Sequence, residues 1–197
     1  MELKTVYFDN PGKENTDEVL RIAKQRADEL GIKTVVVAST TGETAVKAMD
    51  AFPGFKVIIV THSFGFKEPD TQEFTDENKT IVEGKGGIIL TTTHAFGGLS
   101  RAMRQGSIPD VTTTYIVGDI VATTLRVFGQ GMKVVCEIVA MAADSGLVRT
   151  DEDVIVIAGT GAGGYGRGAD TAVLIKPAHT HLFFDLRVKE ILCKPHF

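Results

Sequence analysis

Short, unbroken apolar runs separated by helix-length stretches restrict this chain to one class of architecture. Lys33 to Ala38, Phe55 to Thr61, Ile88 to Thr92 and Val154 to Ala158 are each only strand-length and rich in valine, isoleucine or threonine. The first carries Val35-Val36-Val37 with no polar break, as in a strand covered on both faces. Between the runs the spacing changes. Val19, Leu20, Ile22, Ala23, Ala27 and Leu30 keep a helical period, with Asn15 and Thr16 as N-cap candidates and Gly31 where a C-cap belongs. A second helix opens at Ser39 to Thr44 and runs to Phe52, where Pro53-Gly54 stops it. Glu73 to Val82 reads as a third.

Thr5 to Phe8 adds a leading strand that ends in the turn Asp9-Asn10-Pro11-Gly12. Gly97 to Gly146 reads as helical throughout, with Val117, Val121, Leu125 and Phe128 on one face. Met132 to Ala143 is apolar nearly all round, which predicts a helix buried against the sheet. Thr171 to Ile175 is another strand, and Phe183 to Leu192 an antiparallel edge strand. The expected fold is α/β, a three-layer arrangement of a mostly parallel sheet with helices on both faces, built as one domain over residues 1–197.

Composition narrows the function. With 21 Lys and Arg against 25 Asp and Glu, a net charge of −4 and no basic run, neither nucleic acid nor a membrane surface is an expected partner. Cys136 and Cys193 are too few for a disulfide framework, and no window reaches the roughly eighteen apolar residues of a membrane span. The chain reads as a soluble cytoplasmic protein.

In open parallel sheets, ligands sit beyond the C-terminal ends of the strands. Five loops qualify: Phe8 to Thr16, Ser39 to Thr44, Thr61 to Phe66, Thr91 to Gly98 and Gly159 to Asp170. The sharpest is Ser39-Thr40-Thr41-Gly42-Glu43-Thr44, where hydroxyls and amides crowd the positive end of a helix and suit a phosphate. Helix capping by Thr41 is the plainer alternative, but a cap accounts for only one of these threonines. Gly159-Thr160-Gly161-Ala162-Gly163-Gly164 has the letter pattern of a dinucleotide fingerprint, yet a strand follows it where a helix is required. It is instead an amide-rich ligand cover or a long structural hairpin.

His62 and His94 each end a strand beside threonines and face the pocket as wall or as acid/base. His179 and His181 pair for a metal only if their segment is extended, and no third ligand is evident; a solvated edge is the simpler reading, and no metal site is expected. Asp119 and Glu137 lie in apolar helices and call for pairing between helices or subunits, while Cys136 reads as core.

Two stretches together carry a family resemblance. Val35-Val36-Val37-Ala38-Ser39-Thr40-Thr41-Gly42-Glu43-Thr44-Ala45, continued by Phe55 to Thr61, resembles the pyruvate kinase C-terminal domain, in which such a loop holds a phosphate of the sugar-bisphosphate effector. Asp153 to Gly159 followed by Gly168-Ala169-Asp170-Thr171 resembles that domain's last strand pair and its glycine-rich effector loop. The two pieces cover a little under half of the chain. The late loop lacks the family's tryptophan and keeps only Arg167 nearby, a departure that argues against a bisphosphorylated sugar. As a whole the chain is similar to small archaeal proteins consisting of this domain alone, with Phe8 to Thr16 as an added start.

The stand-alone relatives imply flavin mononucleotide (FMN) as ligand, and one phosphate loop beside a threonine-lined cleft suits a single phosphate with a flat ring. On that reading the phosphate sits at the Ser39, Thr40, Thr41, Gly42, Glu43 and Thr44 loop, with Glu43 pointing away or holding a ribityl hydroxyl, and Asn10 is a further cofactor-binding residue. His62, Phe66, Thr92, Thr93 and His94 line the ring, and Gly159, Thr160, Gly161, Gly163, Gly164, Asp170 and Thr171 belong to the cover. The alternatives are a regulatory module sensing a phosphorylated metabolite, a flavin-dependent oxidoreductase, and a phosphate-ester enzyme using His62 or His94. Pyruvate kinase activity is not expected without the catalytic barrel. Surplus apolar helix surface over residues 111–143 predicts a homo-oligomer.

Overall fold

A computed structural model describes residues 2–104, 116–161 and 167–196. Strands β1 (Val6–Phe8), β2 (Thr34–Ala38), β3 (Lys56–Val60), β4 (Ile88–Leu90), β5 (Val154–Ala158), β6 (Thr171–Lys176) and β7 (Arg187–Pro195) form one sheet in the order β1-β7-β6-β5-β2-β3-β4. All neighbours are parallel except β6, which runs antiparallel to both β5 and β7. The sheet is therefore the expected mostly parallel one, with a single reversed member.

Because side chains alternate across a strand, each apolar run feeds two cores. Val35, Val37, Val57, Ile59, Ile155 and Ile157 pack with helices α1 (Thr16–Leu30) and α2 (Glu43–Ala51). Val36, Ile58, Val60, Val154 and Val156 pack on the other face with α6 (Gln130–Asp144). Helix α3 (Asp76–Gly84) joins the first layer through Val82. Helix α6 is buried nearly end to end, as its all-round apolar sequence requires, and α5 (Val117–Arg126) lies over it. Each fully buried valine, isoleucine or methionine in these layers contributes roughly 1.5–3 kcal/mol relative to exposure.

Several local expectations are corrected. The Gly97–Gly146 stretch is not one helical run: α4 (Gly98–Arg104), α5 and α6 are separate, and Gly129, at φ 117°, sets the α5–α6 corner in a conformation that favours glycine. Residues 105–115 of that stretch lie outside the described residues. Val121 and Leu125 of α5 pack inward, but Val117 and Phe128 are exposed. Strand β7 starts at Arg187, is antiparallel to β6 as expected, and is not an edge, because β1 pairs beyond it with Val6 opposite Cys193. Phe183 belongs instead to a 3₁₀ turn, Thr180–Asp185.

Helix α1 begins at Thr16, but neither cap candidate caps it. The Asn15 side chain donates to Asn10 O, and Thr16 Oγ1 accepts the Ala169 amide at 3.1 Å. Gly31 does close α1, left-handed at φ 69°. Helix α3 begins only at Asp76, because Thr75 Oγ1 caps it by accepting the Asn78 amide; this leaves Glu73 in the preceding loop.

Candidate functional site

Register places the loops level. Ala38 lies opposite Val60, Val60 opposite Leu90, and Val37 opposite Ile157. Ser39, Thr61, Thr91 and Gly159 therefore leave the sheet along one edge. Behind them lies a cleft of about 820 Å³, bounded by α2 on one side and by α4 and α6 on the other.

The phosphate-type loop begins with Ser39, which is buried and whose Oγ accepts the Ala45 amide at 3.2 Å. Ser39, and not Thr41, therefore caps α2. The Val46 amide goes to Gly42 O, while those of Glu43 and Thr44 have no helical partner. Gly42 sits at φ 102° against Asn78, whose side-chain amide holds Thr41 O at 3.0 Å. A Cβ at Gly42 would stand 2.4 Å from that of Asn78. The turn that presents Thr41 and Thr44 is thus fixed from below.

The opposite wall is aromatic. Phe66 lies parallel to His94 (15°, centroids 4.9 Å apart) and 3.9 Å from the His62 ring. The Arg101 guanidinium stacks on Phe66 at 3.9 Å and donates to its carbonyl oxygen. His62 Nδ1 is 2.7 Å from Glu73 Oε2, and Arg167 meets the other Glu73 oxygen at 2.9 Å. Burial would raise the Glu73 pKa, but the hydrogen bonds from His62 and Arg167 outweigh it and hold the carboxyl below its ordinary value.

Deeper in, the buried Glu137 accepts the Phe96 amide at 3.0 Å, pairs with Lys133 one turn earlier, and lies 3.9 Å from His94 Nδ1. The expected pairing of Glu137 between helices or subunits is corrected: Lys133 is its own i,i+4 neighbour on α6. Asp119 is buried on α5. Cys136 is core, with burial pushing its thiol up to about 12.

Of the candidate residues, Ser39, Thr40, Thr41, Thr44, His62, Phe66, Thr93, His94, Gly159, Thr160 and Gly161 line the cleft together. Asn10 and Glu43 instead line a neighbouring cavity of about 810 Å³, which also holds Lys13 and Lys47 and shares Thr44 and Arg167 with the cleft. Gly42 is buried beneath the loop, and Thr92 is outside the lining. Asp170 and Thr171 are wholly buried behind it. Asp170 Oδ2 accepts the Gly12 amide at 3.1 Å and the Thr160 amide at 2.9 Å, while Oδ1 accepts the Thr171 hydroxyl at 2.8 Å. Its carboxylate ties loops together and has nothing left for a ligand. Gly163 and Gly164 lie outside the described residues.

Sequence reasoning missed Arg101, Arg126 and Lys133, which give the cleft a cationic wall. Lys133 stands four residues before Glu137, the one spacing that signalled it. His179 and His181 stack 5.5 Å apart, but a 3₁₀ turn replaces the extended segment a metal pair needed, and His179 faces Asp144 at 3.2 Å. Among the described residues no three of His, Cys, Asp or Glu gather to hold a metal ion, and no helix is long and apolar enough to cross a membrane.

A sequence-family model described as "Pyruvate kinase, alpha/beta domain" matches residues 17–175. Among solved structures the chain is similar to the Cryptosporidium parvum pyruvate kinase in complex with ADP, at 12% identity and a TM-score of 0.41, over 82% of this chain and 23% of that one. The chain thus spans less than a quarter of the length of the enzyme it matches.

Proposed function

Since the chain belongs to the pyruvate kinase alpha/beta domain family, whose model it matches over residues 17–175, we propose that it is one ligand-binding domain and that its ligand is a phosphate monoester bearing a flat ring, FMN fitting best. One observation carries this reading. A helix N-terminus with two amides lacking helical partners and two threonines, Thr41 and Thr44, shares a cleft with a parallel aromatic floor of Phe66 and His94. The volume of about 820 Å³ is of the size that encloses a cofactor. Arg101, Arg126, Lys133 and Arg167 outnumber the single lining carboxylate, Glu137, which favours an anion.

In this reading the Glu43 and Thr44 amides and the Thr41 and Thr44 hydroxyls donate to the phosphate. Glu43, which repels a phosphate but suits the helix dipole, is exposed and lines the other cavity. Phe66, in contact with Arg101, His62 and His94, gives the ring end an aromatic wall. FMN, when bound, supplies redox chemistry, and the protein holds and orients it. The seven-stranded sheet is open, unlike a catalytic barrel, so a coupled assay of the 197 residues with phosphoenolpyruvate and ADP should stay at background.

The test is a titration of FMN against riboflavin, which lacks only the phosphate. FMN should bind more tightly. Thr41→Val and Thr44→Val should each weaken FMN about tenfold, since a hydrogen bond to a charged group is worth roughly 1.5–3 kcal/mol. Equal binding of the two flavins, or an unchanged preference in Thr41→Val, refutes the phosphate assignment. Absence of any flavin binding, with binding of another phosphate ester, would leave the regulatory-module reading.

A further inference from the structure

His94 follows β4 and the threonines 91–93 into the cleft wall, with 17% of its side chain exposed. Four charged or titratable groups act on it: Glu137 and Lys133 from α6, His62 from the end of β3, and Arg101 from α4. Burial is the largest influence and, with the opposing influence of His62, Lys133 and Arg101, outweighs Glu137, holding the imidazole below its ordinary pKa. The ring is therefore neutral at pH 7 and carries one proton. Nδ1 is the nitrogen on the side of the Glu137 carboxylate, 3.9 Å away and beyond hydrogen-bond reach, and we assign the proton to that side on electrostatic grounds, which leaves Nε2 as an acceptor. That Nε2 is buried and has no hydrogen-bond partner. A buried acceptor with nothing to accept is a standing cost to the fold.

The direction of the missing donor follows from the ring. An imidazole lone pair lies in the ring plane, and Phe66 is within 15° of parallel to that plane. A planar group bonded to Nε2 in that plane would lie alongside His94 and run parallel to Phe66, whose ring already meets His62 and Arg101 at 3.9 Å, so a flat donor continues the layer that these side chains form. Nε2 is buried in this structure, so binding such a group requires Phe66, on the loop between β3 and α3, to shift as it enters. A hydroxyl on a flexible chain would use the acceptor without continuing the layer. A ring N–H does both.

We infer that His94 reads the ring of the ligand, its Nε2 accepting an imide-type N–H, so that the cleft selects flat phosphorylated ligands with an N–H edge. This rests on the reading of the cleft as a phosphate-and-ring site and adds to it the group that distinguishes one ring from another.

The test compares FMN with FMN methylated at the imide nitrogen N3, which keeps the phosphate and the ring and loses the donor, using riboflavin as the control for the phosphate. Wild type should prefer FMN over the methylated form by about tenfold or more. His94→Phe, which keeps a ring against Phe66, should reduce that ratio to near one while keeping the preference for FMN over riboflavin. His94→Gln, which restores an acceptor, should recover part of it. In the wild-type protein labelled with ¹⁵N-histidine, the Nε2 resonance of His94 should show an unprotonated nitrogen that shifts on adding FMN and not on adding inorganic phosphate. If wild type binds both flavins equally while still rejecting riboflavin, or if the His94 Nε2 resonance shows a bound proton, the inference about His94 is overturned and the phosphate site stands. If neither flavin binds, the cofactor reading fails and the inference with it.

Discussion

Asp170→Ala should unfasten the ligand edge of the sheet. The carboxylate is wholly buried and accepts two backbone amides, Gly12 at 3.1 Å and Thr160 at 2.9 Å, besides the Thr171 hydroxyl at 2.8 Å. Removing it orphans both amides, each costing about 1–3 kcal/mol, while the Thr171 hydroxyl is free to rotate. The total is about 2–6 kcal/mol, and a central value near 4 lowers the melting temperature of a chain this size by roughly 8–16 °C. Asp170→Asn is the informative partner. It keeps the shape, its oxygen can face both amides, and the Thr171 hydroxyl can turn to accept from the new NH₂. Only charge assistance is lost, so it should cost less than about 2 kcal/mol. Urea unfolding followed by circular dichroism, with equal slopes in all three proteins, measures both. The reasoning fails if alanine costs under about 1 kcal/mol, or if asparagine is as damaging as alanine.

Gly131→Ala should destabilise by several kcal/mol although alanine is the better helix former by about 1 kcal/mol. The new Cβ would stand 2.0 Å from Thr171 Oγ1 and 2.6 Å from its Cβ, and a thermal melt no lower than wild type would show that α6 can move away. Glu73 is held below the ordinary glutamate value of 4.5, so its contribution is present above that pH and is lost as pH falls through the lower folded value. Glu73→Gln should therefore flatten the acid limb of the stability curve below about pH 4.5, and curves of equal slope there would contradict the His62–Glu73–Arg167 link. Leu99, Val117 and Val127 are 84%, 76% and 81% exposed, so self-association is expected, and light scattering that stays at 21.2 kDa at high concentration counts against it.

The sheet was legible because its strands are buried on both faces, so that runs such as Val154 to Ala158 carry their identity in every residue. Strand β7 was harder to read. Arg187, Lys189 and Glu190 crowd its first half around a single apolar residue, Val188, and look like an edge, and only the three-residue β1, contributed from the far end of the chain, makes it interior. In the cleft, the loop residues were legible from their position after strands. Arg101 and Lys133 were not, because a helical cation reads the same whether it faces water or a cavity. Asp170 was misplaced for a related reason. A carboxylate in a glycine-rich loop looks available to a ligand, and only the folded chain shows two amides and a hydroxyl already using it. The Ser39 cap shows the limit of local reading, since its Oγ reaches the amide six residues on, beyond the usual capping distance.

The reversed strand β6 has an evolutionary consequence. Strands β1, β2, β3 and β4 leave the ligand edge by connections that carry helices, whereas β5 returns as its own neighbour β6, and the hairpin is clamped at its base. The Asp170 amide meets Ala158 O at 3.0 Å, and Gly159 lies so close to Gly168 O that a Cβ would approach to 1.9 Å. With both ends pinned to paired strands, lengthening the segment between them leaves strand register and the two cores untouched, and each doubling of its length costs only about 0.6 kcal/mol in closure entropy. Insertions and deletions there cost folding little, while the segment's described ends, Gly161 and Arg167, both line the cleft. This hairpin is therefore where descendants of one fold can diverge in ligand without first relearning how to fold.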